Sequence, residues 1–143
     1  MEIREVKRFS YRVYDSVIRL LPQLDSSVDL PSEQYFRDII RSDKIHFFVA
    51  EADNKEIAGI LSLATYDIPT GKKFWIEDVV VDRTKRGRGL GRDLVLFAID
   101  YSKSMGARSV DLTSRPARVE ANKLYRKLGF VLRETNVYRF CIK

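Results

Sequence analysis

The sequence predicts an α/β fold, more narrowly α+β: a single domain with one mixed, mostly antiparallel sheet of about seven strands and four helices. Two observations carry this. Apolar residues recur at period two in short runs and at helical spacing in four longer ones, in the order β-α-α-β-β-β-α-β-α-β-β. Only the fourth and fifth strands are joined by a crossover helix, so parallel pairing is expected there and antiparallel pairing elsewhere.

Each element has its own warrant. "EIREVKRF" alternates Ile3 and Val6 with charged residues, as a first strand does. Ser10 can cap a helix whose apolar positions are Val13, Tyr14, Val17, Ile18 and Leu21, and Pro22 is expected to stop it. "QLDSSVD" is a loop, and Pro31 suits the first turn of a second helix carrying Phe36, Ile39 and Ile40. The aromatic residues of these two helices, Tyr11, Tyr14, Tyr35 and Phe36, suit helical core or the wall of an acceptor pocket.

The period then changes. "IHFFVAEA" and "IAGILSLATY" flank the turn "DNKE" as an antiparallel hairpin. "DIPTG" turns into "KKFWIEDVVVD", a long fourth strand. Leu90, Leu94, Phe97, Ala98, Tyr101 and Met105 form one face of a third helix, ended by Gly106. "ARSVDLT" is the fifth strand. Pro116 opens a fourth helix with Ala121, Leu124, Tyr125 and Leu128 on one face, closed by Gly129; "FVLRE" and "NVYRFCIK" are expected as two final strands.

A chain of 143 residues is most simply one domain, spanning 1–143, and buries roughly 68% of its unfolded surface. Hydrophobic residues at 45% and charged residues at 32% fit a soluble globular protein. No apolar run approaches the roughly 20 residues of a membrane span, and "MEIREVKRFS" holds no signal-peptide hydrophobic stretch. The single cysteine, Cys141, makes no internal disulfide, which points to a reducing cytoplasm and a buried thiol. One histidine, His46, excludes a two-histidine mechanism and most zinc sites; its place between Ile45 and Phe47 suits packing, and no metal is called for. The net charge of +6 and pI near 9.5 suggest an anionic partner without choosing its class.

The densest basic run lies in "VVVDRTKRGRGLGRDLV", Val79 to Val95, where Arg83, Lys85, Arg86, Arg88 and Arg92 surround Gly87, Gly89 and Gly91. Glycine lets backbone N–H groups approach a ligand, and a helix N-terminus adds unpaired donors and partial positive charge. Together they form an anion cradle. A tight turn under a solvated basic face is the other reading of the same residues. A Walker loop, G-x-x-x-x-G-K-[ST], is absent. A dinucleotide fingerprint fails because its third glycine position is Arg92.

What does fit is R-x-x-G-x-G at Arg86, Gly89 and Gly91, after an apolar strand. This resembles the signature of the GNAT superfamily of acyl-CoA N-acyltransferases. "ANKLYRKLGF", Ala121 to Phe130, is similar to that family's second signature, and the element order agrees from Ile3 to Ile142. The resemblance implies a split between the fourth and fifth strands, with the pantetheine of acetyl-CoA pairing there with backbone at Val79 and Val81. It places the pyrophosphate on the N–H groups of Gly87, Arg88, Gly89, Leu90, Gly91 and Arg92.

The same resemblance implies a mechanism. Acyl transfer to an amine needs a neutral nucleophile, an oxyanion donor and a proton for the thiolate. The family's oxyanion contact falls on the N–H of Val79 or Val80, and its proton-donating tyrosine on Tyr125, which also suits simple packing. Glu77 and Asp78 interrupt the apolar "FWIEDVVV". Alternation puts them on opposite faces, with Glu77 beside Val79 and Val81. Glu77 is thereby a candidate base or an ion-pair partner, and Asp78 a candidate contact to the acceptor. "IED" resembles glucosamine-phosphate N-acetyltransferases in particular, although the acidic residue those enzymes carry after the fifth strand is replaced here by "LTSRPAR". Thr113, Ser114 and Arg115 offer hydroxyls and a cation for a carboxylate or phosphate on the acceptor, and equally Arg115 and Arg118 suit support of the coenzyme or helix. Arg118 occupies the family's asparagine position, and Asn122, three residues before the tyrosine, is the candidate pantetheine contact.

The expected function is therefore acetyl-CoA-dependent N-acetylation of a primary amine, on a small molecule or a peptide, by direct attack in a ternary complex. A non-catalytic acyl-CoA sensor would keep the fold and lose the chemistry. A basic nucleic-acid module would use the same arginines, but the chain shows neither an aromatic recognition motif nor a helix dominated by basic residues. No membrane partner is expected, and a homodimer is left open.

Overall fold

The computed structural model describes residues 1–142. It divides into two units, the first running from Met1 to Thr113 and the second from Ser114 onward. In the first unit, period-two segments close into one sheet: β1 (Glu2–Glu5), β2 (Ile45–Glu51), β3 (Ile57–Ile68), β4 (Gly71–Val81) and β5 (Asp111–Leu112). The strands stand in chain order. β1 to β4 pair antiparallel and β4 with β5 parallel, as the crossover requires.

Three helices cover the sheet: α1 (Tyr11–Leu24), α2 (Glu33–Arg41) and α3 (Leu90–Ser104). Adjacent residues of a strand face opposite ways, and β2 shows the consequence. Phe47 meets Phe36 of α2 edge-on at 5.3 Å, while Phe48 meets Phe97 of α3 edge-on at 5.0 Å. One core layer joins Val13, Val17 and Leu20 of α1 to Phe36, Val49, Ile60 and Val80. On the other face α3 comes so close to β3 that a Cβ at Gly59 would stand 2.9 Å from the Leu94 side chain.

Both early helices start at serine caps. Ser10 Oγ accepts from the Val13 N–H at 3.2 Å, and Ser32 Oγ from the Tyr35 N–H at 3.1 Å. Pro31 therefore precedes the cap of α2 instead of sitting in its first turn. Nor does Pro22 stop α1, which continues to Leu24. Proline removes one bond near the end of the helix, and the next register is still made, Asp25 N–H to Leu21 O at 3.3 Å.

The second unit contains α4 (Val119–Lys127). Pro116 lies in the turn before it, where the Arg118 N–H donates to the Arg115 carbonyl at 3.0 Å. The two final strands are not formed among the described residues: 130–142 make no ladder, and the sheet has five strands where seven were expected. Alternation supplies β propensity, but a strand exists only where a second backbone takes its hydrogen bonds. Cys141 lies in this stretch and is exposed, which corrects the expectation of a buried thiol. Among the described residues, no helix is long and apolar enough to cross a membrane.

Candidate active site

The site starts from an irregularity in β4. Up to Glu77 the strand pairs with β3 in one register, and from Val80 it pairs in another. Asp78 and Val79 together stand opposite the single residue Leu61, a β-bulge, and Asp78 takes a φ of 50°. The bulge resets the alternation, so Ile76 pairs with Leu63 of one face and Val80 with Ile60 of the other. The simple alternation expected for Glu77, Val79 and Val81 fails here for that reason. On its other edge β4 pairs with β5 only at Trp75 and Ile76. The backbone from Glu77 to Val81 continues beyond the last pair, roughly 16 Å of strand at 3.3 Å per residue.

The loop after β4 is anchored by Asp82, Thr84, Arg19 and Gln23, none of them part of the basic and glycine signature. Asp82 is only 5% exposed. Its N–H donates to the Ala58 carbonyl at 2.8 Å, and its carboxylate accepts from the Thr84 N–H and hydroxyl at 3.1 and 2.9 Å. Arg19 of α1 pairs with the same carboxylate and donates to the Ile57 carbonyl at 2.7 Å. Burial pushes the Asp82 carboxyl up, but Thr84 and Arg19 together outweigh it and hold it below the usual aspartate range. The Arg83 N–H donates to Gln23 Oε1 at 2.8 Å, and Arg86 Nε to the Val81 carbonyl at 3.0 Å. The local signal for this anchor was D-x-T, an aspartate two residues before a threonine at a strand end.

From this anchored base the chain rises through Gly87 and Gly89, both left-handed at φ 79° and 81°. Leu90, buried, pins the first residue of α3 into the core. The first helical bond runs from the Asp93 N–H to the Gly89 carbonyl at 3.0 Å, so Leu90, Gly91 and Arg92 present N–H groups without an intrahelical acceptor. A Cβ built on Gly87 or Gly89 meets no atom within 4 Å. The glycines thus leave open space over a helix N-terminus, ringed by the exposed side chains of Arg83, Arg86, Arg88 and Arg92. Such a place suits an anion.

Beside the bulge lies a cavity of about 470 Å³ between α1, α2, the loop joining them, and β2 to β4. Its walls are largely apolar, with Val17, Phe36 and Ile60 among them, and its polar groups include Ser32, Ser62, Tyr35, Asp29 and Asp78. Among the described residues no basic side chain lines it. Tyr35 and Phe36 are in the wall; Tyr14 instead donates its hydroxyl to the Pro31 carbonyl at 2.8 Å, and Tyr11 is exposed. Glu77 stands opposite Ser62 in the ladder. Both Glu77 and Asp78 keep contact with solvent, yet the surrounding protein displaces enough water to raise both carboxyls, and Asp78 raises Glu77 further. Ser62 and Asp29 were not singled out in the sequence; a serine inside the apolar run "IAGILSLA" was the available signal for the first. Thr113, just beyond β5, is exposed.

His46 is packed in a polar cluster away from this cavity: its Nδ1 lies 2.8 Å from Glu5 and 3.1 Å from the Tyr101 hydroxyl.

The remaining candidates belong to the second unit. Tyr125 of α4 is 7% exposed and meets Phe130 in an edge contact at 5.8 Å. Burial raises its phenol above the ordinary value, against the opposing charge and hydrogen bond of Arg118. Asn122 Nδ2 donates to the carbonyls of Arg115 and Arg118 at 2.9 and 2.8 Å, which leaves its Oδ1 as the polar atom available to a ligand. Ser114 Oγ is buried without a hydrogen-bond partner, and Arg115 is exposed.

Comparison with known proteins matches residues 11–130 to the acetyltransferase (GNAT) family. A glucosamine 6-phosphate N-acetyltransferase of Arabidopsis thaliana is 35% identical over 125 residues, 78% of this chain and 78% of that protein. An uncharacterized N-acetyltransferase of Methanocaldococcus jannaschii is 31% identical over 102 residues, 70% of this chain but only 45% of that protein's length. Among solved structures, an aminoglycoside acetyltransferase from an uncultured soil metagenomic sample superimposes with a TM-score of 0.87 at 18% identity, covering 99% of this chain and 95% of that one.

Proposed function

This chain belongs to the GNAT family of acetyltransferases, and from that premise we propose that it transfers the acetyl group of acetyl-CoA to a primary amine by direct attack. The observation that carries the donor half is the parting of β4 from β5 after Ile76, followed by two left-handed glycines at the start of α3. The β4 edge at Val79 and Val81, which lies beyond the last β5 pair and where Arg86 holds the Val81 carbonyl, is suited to pantetheine, which forms hydrogen bonds as a strand does. The N–H groups of residues 87–92 are suited to the pyrophosphate. Asn122 would meet the pantetheine through Oδ1, since both its amide hydrogens are engaged.

In the reaction a neutral amine attacks the thioester carbonyl, a C–N bond forms, and the C–S bond breaks. The N–H of Val79 or Val80 would stabilise the developing oxyanion. Tyr125 would give its proton to the departing thiolate, a role favoured by a phenol that burial keeps protonated. The proton that the nitrogen sheds as the amide forms would pass through solvent to restore the phenol. Glu77, its carboxyl raised by burial and by Asp78, would take a proton from the incoming ammonium directly or through water.

The cavity supports a reading of the acceptor that differs from the sugar phosphate named for the Arabidopsis relative. Apolar walls, Asp29 and Asp78, and no lining cation among the described residues favour a cationic amine with an apolar body. A phosphorylated amine is the second reading, its anion directed to Thr113, Ser114 and Arg115. An acetyl-transfer screen decides between them: aliphatic and aromatic amines should be acetylated faster than amino-sugar phosphates. The reverse order would make the second reading correct.

A further inference from the structure

The loop after β4 divides its backbone N–H groups into two sets. It begins with one 3₁₀ turn, Arg83–Lys85, and all three N–H groups of that turn are taken inside the protein. Lys85 N–H donates to the Asp82 carbonyl at 2.8 Å and Thr84 N–H to the Asp82 carboxylate at 3.1 Å. The first N–H of such a turn is the one that the turn itself does not satisfy. Here it is met from α1: Arg83 N–H donates to Gln23 Oε1 at 2.8 Å, across 60 residues of sequence. At the far end of the loop, the N–H groups of Leu90, Gly91 and Arg92 are left open instead.

Between these ends lie Gly87 and Gly89, which are the most permissive backbone positions available. A segment of that kind holds one shape only if both ends are fixed. Leu90 fixes the downstream end, buried in the core. The upstream end is gripped at two consecutive residues from one side of α1, where Gln23 follows Arg19 by one helical turn. Arg19 pairs with Asp82, and Gln23 takes the Arg83 peptide.

We propose that Gln23 is a positioning residue for the coenzyme. By holding the Arg83 peptide it orders the glycine segment before the pyrophosphate arrives, so that less ordering is left to be done on binding. The inference rests on the reading of this loop as the acetyl-CoA site. The Gln23 bond lies at the exposed surface, where water replaces a lost partner at little cost in stability. Its loss should therefore appear in binding more than in folding.

Calorimetric titration with CoA, paired with melting of the free protein, tests this. Gln23→Met keeps the length and the helix propensity of the side chain and removes the acceptor oxygen. It should raise the CoA dissociation constant about 5-fold or more and keep the melting temperature within about 3 °C. Gln23→Glu keeps an acceptor oxygen. At about 0.5 M salt, where its added charge is largely screened, it should bind CoA within about 2-fold of the unmodified protein at the same salt, well ahead of the methionine variant. Unchanged affinity in Gln23→Met overturns the inference, and so does a Gln23→Glu protein no better than Gln23→Met at that salt. Failure of the unmodified protein to bind CoA overturns the donor reading and this inference together. Binding by the unmodified protein with no loss in the methionine variant removes this inference alone.

Discussion

Arg86 Nε donates to the carbonyl oxygen of Val81 at 3.0 Å, so the loop leaving β4 is tied back to the residue at which β4 ends. The guanidinium shapes the approach to α3 while its remaining N–H donors face solvent. Replacing Arg86 with Ala should weaken acetyl-CoA binding about 10-fold, the scale of one hydrogen bond from a charged group. Calorimetric titration checks this; an unchanged dissociation constant would show that the brace serves nothing the coenzyme uses.

The open space over Gly89 can be filled without bending the chain. Asparagine tolerates the left-handed region far better than β-branched residues do, so Gly89→Asn should preserve the melting temperature within a few degrees. Its side chain should nevertheless obstruct the pyrophosphate and raise the acetyl-CoA dissociation constant at least 10-fold. Valine is the poorer probe, because at φ 81° it strains the loop as well as filling it. Tight binding to the asparagine variant would reduce the glycines to turn-formers.

How much of this could be read in advance depended on the range of the interaction involved. The element order through α4 follows from local periodicity, and the glycines before α3 are a local signal for a positive φ at a helix start. The bulge at Asp78 was invisible, because alternation assumes one register with β3 and the extra residue appears only when the two strands are paired. Pro22 misled for a related reason: a proline near a helix end costs one bond, and burial of Leu20 and Leu21 holds the turn together regardless. The last two strands failed on a non-local requirement, a partner backbone. Arg19 and Asp82 meet across 63 residues, a pairing no local pattern announces. Glu77 and Tyr125 were legible as residue types in matching motifs, whereas the cavity carboxylate Asp29 lay in an uninformative loop.

Asp82 should govern part of the acid stability. Its folded pKa lies below the unfolded value, so its contribution is present above about pH 4 and lost as pH falls through the folded pKa. Asp82→Asn should cost about 2 kcal/mol at pH 7, with the partly exposed Arg19 left without its anion, and should flatten the pH dependence below pH 4. Denaturant melts of both proteins at pH 3 and pH 7 check this. Equal losses at the two pH values would assign Asp82 a packing role alone.

Glu77 and Tyr125 should fail in different ways. The Glu77 carboxyl is raised in the fold, so its charged form opposes folding as pH rises through that pKa. Glu77→Gln should therefore raise the melting temperature at pH 7 and leave it unchanged at acid pH. If Glu77 is the base, the same variant should slow acetylation most at neutral pH and recover toward the acceptor's own pKa. Tyr125→Phe should keep acetyl-CoA affinity, lower the rate by about 100-fold where chemistry is limiting, and show no recovery. A normal rate and pH profile for Glu77→Gln would leave that carboxylate without a part in proton transfer.

The central claim is met most directly by following free thiol release from acetyl-CoA, with and without an amine, and identifying the acetylated product by mass. Acetyl transfer predicts slow release with coenzyme alone, and release matched mole for mole by N-acetyl product when a cationic apolar amine is added. Saturating acetyl-CoA that neither shifts the melting temperature nor yields amine-dependent thiol across the amine panel would contradict it.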